Sequence, residues 1–128
     1  MKITERTVND ITVLELDGEL ALENNAQFRK KATAAFDAGA RNMIVNLAQV
    51  GYMDSSGLGE LISCYTTLKK LGGRFTLLQL NRRLQHLLTI TKLHTVFELY
   101  DTEAAAVASF TPRAESGTSG NANVASLS

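Results

Sequence analysis

Two hydrophobic periods run along this chain. From Ile11 to Leu16 apolar and polar positions roughly alternate, with Ile11, Val13 and Glu15 on one face and Thr12, Leu14 and Leu16 on the other. A period of two belongs to a strand. The preceding Lys2-Ile3-Thr4-Glu5-Arg6 suits a short edge strand, and Asn9-Asp10 favours a turn because both side chains bond their own backbone readily. A hairpin closed by Gly18 is expected. The period then lengthens. Phe28, Ala32, Ala35 and Phe36 fall at i, i+4, i+7 and i+8, which predicts a helix from about residue 23 to residue 38, stopped by Gly39.

The rest of the pattern repeats this strand-and-helix rhythm. Asn42 to Leu47 is a compact apolar run without clean alternation, as expected of a strand buried on both faces at the centre of a sheet. A second helix over about 56–71 has Leu58, Leu61, Ile62, Tyr65 and Leu68 as its buried stripe and ends at Gly72-Gly73. Residues 74–80 read as a strand. Asn81 can cap a third helix whose face is Leu84, Leu87, Leu88 and Thr91. Thr95 to Tyr100 reads as a last strand, followed by a helix capped by Asp101 and running to about Phe110. The order implies one α/β domain over residues 1–110, a mixed sheet with helices packed on it and an N-terminal hairpin. Residues 111–128 contain no aromatic residue and are dominated by Ser, Gly, Thr, Asn and Ala. They are expected to be a disordered tail, since such a segment buries too little apolar surface to offset its ordering entropy.

Composition narrows the function by exclusion. The 128 residues carry 13 basic and 13 acidic side chains, a formal net charge of zero, so no nucleic-acid footprint is expected. Lys69-Lys70 and Arg82-Arg83 read as solvated helix faces. One cysteine, Cys64, allows neither an internal disulfide nor a multi-cysteine metal site, and no metal or cofactor is expected. No signal-peptide pattern and no long apolar run is present, which places the expectation in the cytoplasm and off the membrane.

The chemistry concentrates in Asp54-Ser55-Ser56-Gly57-Leu58-Gly59, in the loop between the buried strand and the second helix. Loops at the carboxyl ends of such strands gather binding groups. A helix N-terminus there offers unpaired N–H groups and a partial positive charge, which favour hydroxyl caps, carboxylates and phosphates. Ser55 or Ser56 can serve simply as the cap. A nucleophilic serine would need a base and a Gly-x-Ser-x-Gly elbow, but Asp54 stands two residues before Ser56, and His86 and His94 lie in distant segments. A phosphate-binding loop of the Walker type would need a lysine that this loop lacks. Glycines beside the serines leave the backbone open to a partner protein. The motif therefore reads as a surface that a partner recognises or phosphorylates, and no enzyme is expected.

The segment Asn46-Leu47 … Met53-Asp54-Ser55-Ser56-Gly57-Leu58-Gly59, then a helix and Lys70-Leu71-Gly72-Gly73, resembles the anti-sigma-factor antagonists, the STAS-domain proteins. Leu16-Asp17-Gly18-Glu19-Leu20 is similar to that family's strand-closing motif. The run Leu87 to Leu93 with Val96-Phe97 is similar to its C-terminal helix and last strand. The resemblance covers about residues 1–110. It implies a switch in which the antagonist binds an anti-sigma factor with a histidine-kinase-like ATPase fold and so releases a sigma factor. That factor acts as a serine kinase on the loop, and a protein phosphatase 2C-type phosphatase reverses it. By position the phosphoacceptor is Ser55, with Asp54, Ser56, Gly57, Leu58 and Gly59 around it and Ser56 left as the cap. Where the family often continues Gly-Glu-Leu with an aspartate, this chain has Ala21. That departure carries the alternative, a non-phosphorylated STAS scaffold or transport-complex component that binds a partner or small ligand constitutively.

Overall fold

Asn9 and Asp10 both take positive φ, 50° and 65°, so the chain reverses in two residues and Val8 lies opposite Ile11. In the computed structural model, which describes residues 1–110, this turn joins antiparallel strands β1 (Lys2–Val8) and β2 (Ile11–Leu20). Three parallel strands follow β2, namely β3 (Asn42–Met53), β4 (Arg74–Leu78) and β5 (Glu98–Tyr100), in the sheet order β1-β2-β3-β4-β5. The connections carry α1 (Asn25–Asp37), α2 (Ser55–Lys70) and α3 (Arg82–Ile90), and α4 (Glu103–Ala108) closes the domain. This is the expected α/β domain with a mixed sheet.

A sheet that advances one strand at a time through right-handed crossovers collects its helices on one face. Phe28 of α1, Leu61 and Leu68 of α2, and Leu84 and Leu88 of α3 accordingly share one core with Leu14, Leu16, Val45, Leu47 and Leu77. Each such side chain contributes about 1.5–3 kcal/mol by leaving water. On the opposite face Ala106 of α4 packs with Ile11, Val13, Ile44 and Leu78. The two faces of the β2 alternation are thus both buried. Arg6 anchors α4 to the hairpin by pairing with Glu103 and with Glu15, 2.9 Å away. No helix among the described residues is long and apolar enough to cross a membrane.

The structure corrects several expectations. Gly18 does not end β2; with φ 130° it lets the strand continue to Leu20 through two register shifts against β3. β3 runs six residues beyond Leu47, to Met53, because that extension keeps pairing with β2. Ile62 is 37% exposed, on the outer side of α2, and Thr91 is exposed at the end of α3. Val96-Phe97 is not strand. A 3-10 turn (Leu93–Thr95) precedes it, and Phe97 turns inward with its ring edge-on to Tyr65 at 5.7 Å and 5.9 Å from Phe75. Thr102, not Asp101, caps α4, its hydroxyl accepting the Ala105 N–H at 3.2 Å. The expected tail lies outside the described residues.

Candidate functional site

β2 and β3 both outrun β4, which pairs with β3 only from Asn42 to Asn46. Their ends, Leu20 and Met53, therefore project as a two-stranded spur from which the α2 N-terminus and the turn into α1 both depart. Asp54 joins them. Its N–H donates to the Leu20 carbonyl at 3.3 Å. Its carboxylate Oδ1 accepts the Gly57 N–H at 3.0 Å, and Oδ2 accepts the Leu22 N–H at 3.1 Å. The first of these bonds is a helix N-cap. The Gly57 N–H, opposed by desolvation and reinforced by the Leu22 N–H, holds the Asp54 carboxyl below its ordinary pKa.

The cap therefore falls to Asp54, which corrects the expectation that Ser56 would supply it. Aspartate and serine are nearly equal as caps, so the sequence alone does not choose between adjacent candidates. Ser55 becomes the first residue of α2 and is exposed; Ser56 follows, half-buried. Gly57 is buried for a reason its neighbours impose. A Cβ there would stand 2.0 Å from the Leu20 carbonyl oxygen, so the first turn of α2 lies directly on β2. Leu58, 7% exposed, enters the core behind it. Gly59 is different, since a Cβ there would meet no atom within 4 Å. Helical spacing puts Ser55, Gly59 and Ile62 in one outward row.

The motif residues thus divide. Asp54, Gly57 and Leu58 build the loop, while Ser55 and Gly59 face out and Ser56 lies between. Three large apolar side chains on the elements that meet at this loop are exposed, although the spacing placed Ile62 in the buried stripe and gave Leu22 and Tyr52 no contact role. Leu22 is 72% exposed in the β2–α1 turn, Tyr52 is 43% exposed on the spur, and Ile62 continues the row on α2. Exposed apolar side chains flanking a polar loop are the kind of group that a partner protein can cover. The Ala21 turn itself is closed by local bonds, with the Ala21 N–H given to Asn24 Oδ1 at 2.9 Å. Ala21 is buried.

The remaining reactive groups stand apart from this loop. Cys64 is 4% exposed in an open groove of about 740 Å³ between α1 and α2, together with Ala32, Phe36, Arg41 and Leu71. Burial pushes its thiol up to about 12, which removes the thiolate that would make it reactive. Glu60, one turn into α2, is tied to Arg29 of α1. His86 is exposed on α3, and the His94 Nδ1 lies 3.3 Å from the Leu88 carbonyl. Among the described residues no group of three His, Cys, Asp or Glu side chains is placed to hold a metal ion.

Comparison with known proteins bears on this geometry. The family model of the STAS domain matches residues 2–106. The anti-sigma-B factor antagonist of Bacillus subtilis is 34% identical over 91 residues, covering 71% of this chain and 82% of that protein. The crystal structure of a Thermotoga maritima protein assigned as an anti-sigma factor antagonist superposes with a TM-score of 0.81 at 26% identity, over 84% of this chain and 92% of its own. The phosphorylated form of the Bacillus cell-fate determinant SpoIIAA superposes with a TM-score of 0.70 at 26% identity, over 86% of this chain and all of its own. With that family match across nearly all of the described domain, the chain belongs to the STAS-domain family.

Proposed function

We propose that this chain is an anti-sigma factor antagonist, a binding protein without catalytic activity, whose contact surface is centred on Ser55. The unmodified surface binds an anti-sigma factor with a histidine-kinase-like ATPase fold and thereby frees a sigma factor in the cytoplasm. The same factor, acting as a serine kinase, phosphorylates Ser55 and ends the binding, and a protein phosphatase 2C-type enzyme restores it. Asp54, Ser56, Gly57, Leu58 and Gly59 shape the loop, with Leu22, Tyr52 and Ile62 as its apolar surround.

One observation carries this reading. Asp54 supplies the helix cap, so the Ser55 hydroxyl is outward at the first position of α2 and is not spent on holding the fold. The relatives named as anti-sigma factor antagonists support the partner class. SpoIIAA, described in both unphosphorylated and phosphorylated forms, supports the modification.

The physical chemistry favours a switch at the interface over one in the fold. Phosphorylation adds about −1.5 to −2 charges. The N–H groups and dipole of α2 attract that charge, while the neighbouring Asp54 carboxylate repels it, so the net effect on folding is small. Against a partner the dianion must be desolvated beside Asp54 and among apolar side chains. Burying an uncompensated charge costs several kcal/mol, on the order of a hundredfold or more in affinity. Ser55→Asp and Ser55→Ala, titrated against the purified cognate anti-sigma factor, test this. Ser55→Asp is expected to bind far more weakly than Ser55→Ala at the same melting temperature; equal binding by the two variants refutes the switch.

A further inference from the structure

The end of the sheet that presents Ser55 also carries a charged feature that the proposed function leaves unused. α3 opens with Arg82 and Arg83, both exposed, directly after the Asn81 cap. A helix N-terminus favours anions, so two cations in the first turn stand against the helix dipole. Neither arginine is neutralised among the described residues. Their ion pairs are Arg6 with Glu15 and Glu103, Arg29 with Glu60, Lys31 with Glu5, and Arg74 with Glu98. The first turn of α3 is also fixed against the spur. Asn81 Oδ1 accepts the Leu84 N–H at 2.8 Å, while its Nδ2 donates to the Val50 carbonyl at 3.0 Å. Val50 lies in the part of β3 that outruns β4, two residues before exposed Tyr52. On the other side of Ser55, the end of β2 and the turn into α1 expose Glu19 and Glu23, and residues 18–28 contain no basic side chain. This end of the domain is therefore polarised, acidic beside α1 and basic at α3, with Ser55 between.

We propose that Arg82 and Arg83 are docking contacts for an acidic patch, formed by Asp and Glu side chains, on the protein that reads Ser55. The inference rests on the proposed function and names a part of its interface. Set against a helix dipole and without an ion pair among the described residues, these arginines have no stabilising role that the fold shows, and a complementary acidic surface turns the same charges into attraction. They also orient the partner, since its acidic patch must face α3 and not Glu19 and Glu23. Such contacts act chiefly on the association rate and its dependence on salt.

The test compares wild type, the double variants Arg82→Glu/Arg83→Glu and Arg82→Lys/Arg83→Lys, and Ser55→Asp. Each full-length chain is titrated with the purified cognate anti-sigma factor at low and high salt and melted thermally. Glutamates suit the first turn of a helix, so the reversal is expected to keep or raise the melting temperature and a loss of binding is not unfolding. Expected is a loss of affinity of about tenfold or more at low salt for the glutamate pair, a flatter salt dependence, and near-wild-type binding by the lysine pair. Unchanged affinity and salt dependence of the glutamate pair in a binding-competent background overturn the docking role and leave the proposed function standing. A wild-type chain that fails to bind, or a Ser55→Asp chain that binds as well as wild type, instead strikes the function itself. Arginine-dependent self-association or binding to a DNA duplex, with anti-sigma factor binding intact, also overturns the assignment.

Discussion

Gly57 and Gly59 stand two residues apart on one helix, and replacing each by alanine should move stability in opposite directions. At Gly57 the added methyl would lie 2.0 Å from the Leu20 carbonyl oxygen, 2.8 Å from its carbon and 2.9 Å from Leu20 Cγ. Ordinary contacts of this kind exceed 3 Å, and two of the three atoms are backbone of a paired strand. The first turn of α2 must therefore lift by about an ångström. That motion strains the Asp54–Gly57 hydrogen bond at 3.0 Å and draws Leu58 and Leu61 out of register with the core. Overpacking costs about 1–3 kcal/mol, less about 0.5–1 kcal/mol that alanine returns by its helix propensity. With a backbone contact of 2.0 Å placing the cost at the upper end, a net loss of about 2 kcal/mol lowers the melting temperature of a domain this size by about 8 °C. At Gly59 nothing lies within 4 Å of the added methyl, so the helix-propensity gain stands alone. That variant should melt about 2–4 °C higher. Circular dichroism melts and urea titrations of both variants against wild type decide the matter. A Gly57→Ala chain as stable as wild type would refute the close approach of α2 to β2, and a destabilised Gly59→Ala chain would refute the open environment.

Other consequences follow from the same site. Asp54→Asn should lower the melting temperature, and because the Asp54 carboxyl is held below its ordinary pKa, its contribution is present above the unfolded-state value and is lost as pH falls through the folded one. The difference in melting temperature between wild type and Asp54→Asn should therefore be largest near neutral pH and shrink in acid; a difference that grows on acidification contradicts the capping role. Leu22→Ala should change stability by less than about 0.5 kcal/mol, since the side chain is 72% exposed, yet weaken binding to the anti-sigma factor in a titration. Cys64, buried with its thiol pushed up to about 12, should resist Ellman's reagent at pH 8 in the native protein and react fully in urea. Prompt native reaction would show that the α1–α2 packing opens.

Much of the fold was legible because amphipathic patterns state which face is buried. Phe28, Ala32 and Ala35 of α1 and Leu58, Leu61 and Leu68 of α2 all occupy the core that their spacing implied. The strand ends were not legible, because Ala48, Gln49 and Gly51 carry no strand signal; Gln49 lies opposite Asp17, while Ala48 and Gly51 fall at the two register shifts against β2. Phe97 reads as strand by residue type but is claimed by a gap between Tyr65 and Phe75, which no local pattern announces. At the site, the sequence located the loop but misallocated its parts. Asp54, Ser55 and Ser56 are all good caps, and tertiary geometry chose the one whose second oxygen could also reach Leu22. Ile62 joined the buried stripe by spacing, though it sits at the edge of that stripe where helix rotation decides exposure. Leu22 gave no signal, since a single apolar residue in a polar turn is common on any surface.

The central claim is that phosphate on Ser55 controls binding and leaves the fold alone. Its most direct test is calorimetric titration of the cognate anti-sigma factor with this chain before and after enzymatic phosphorylation, with the modified residue located by peptide mass spectrometry and both forms melted thermally. Expected are one phosphate, on Ser55, a melting temperature nearly unchanged, and an affinity lower by on the order of a hundredfold or more. Equal affinity of the two forms, or a phosphate located on another residue, would contradict it.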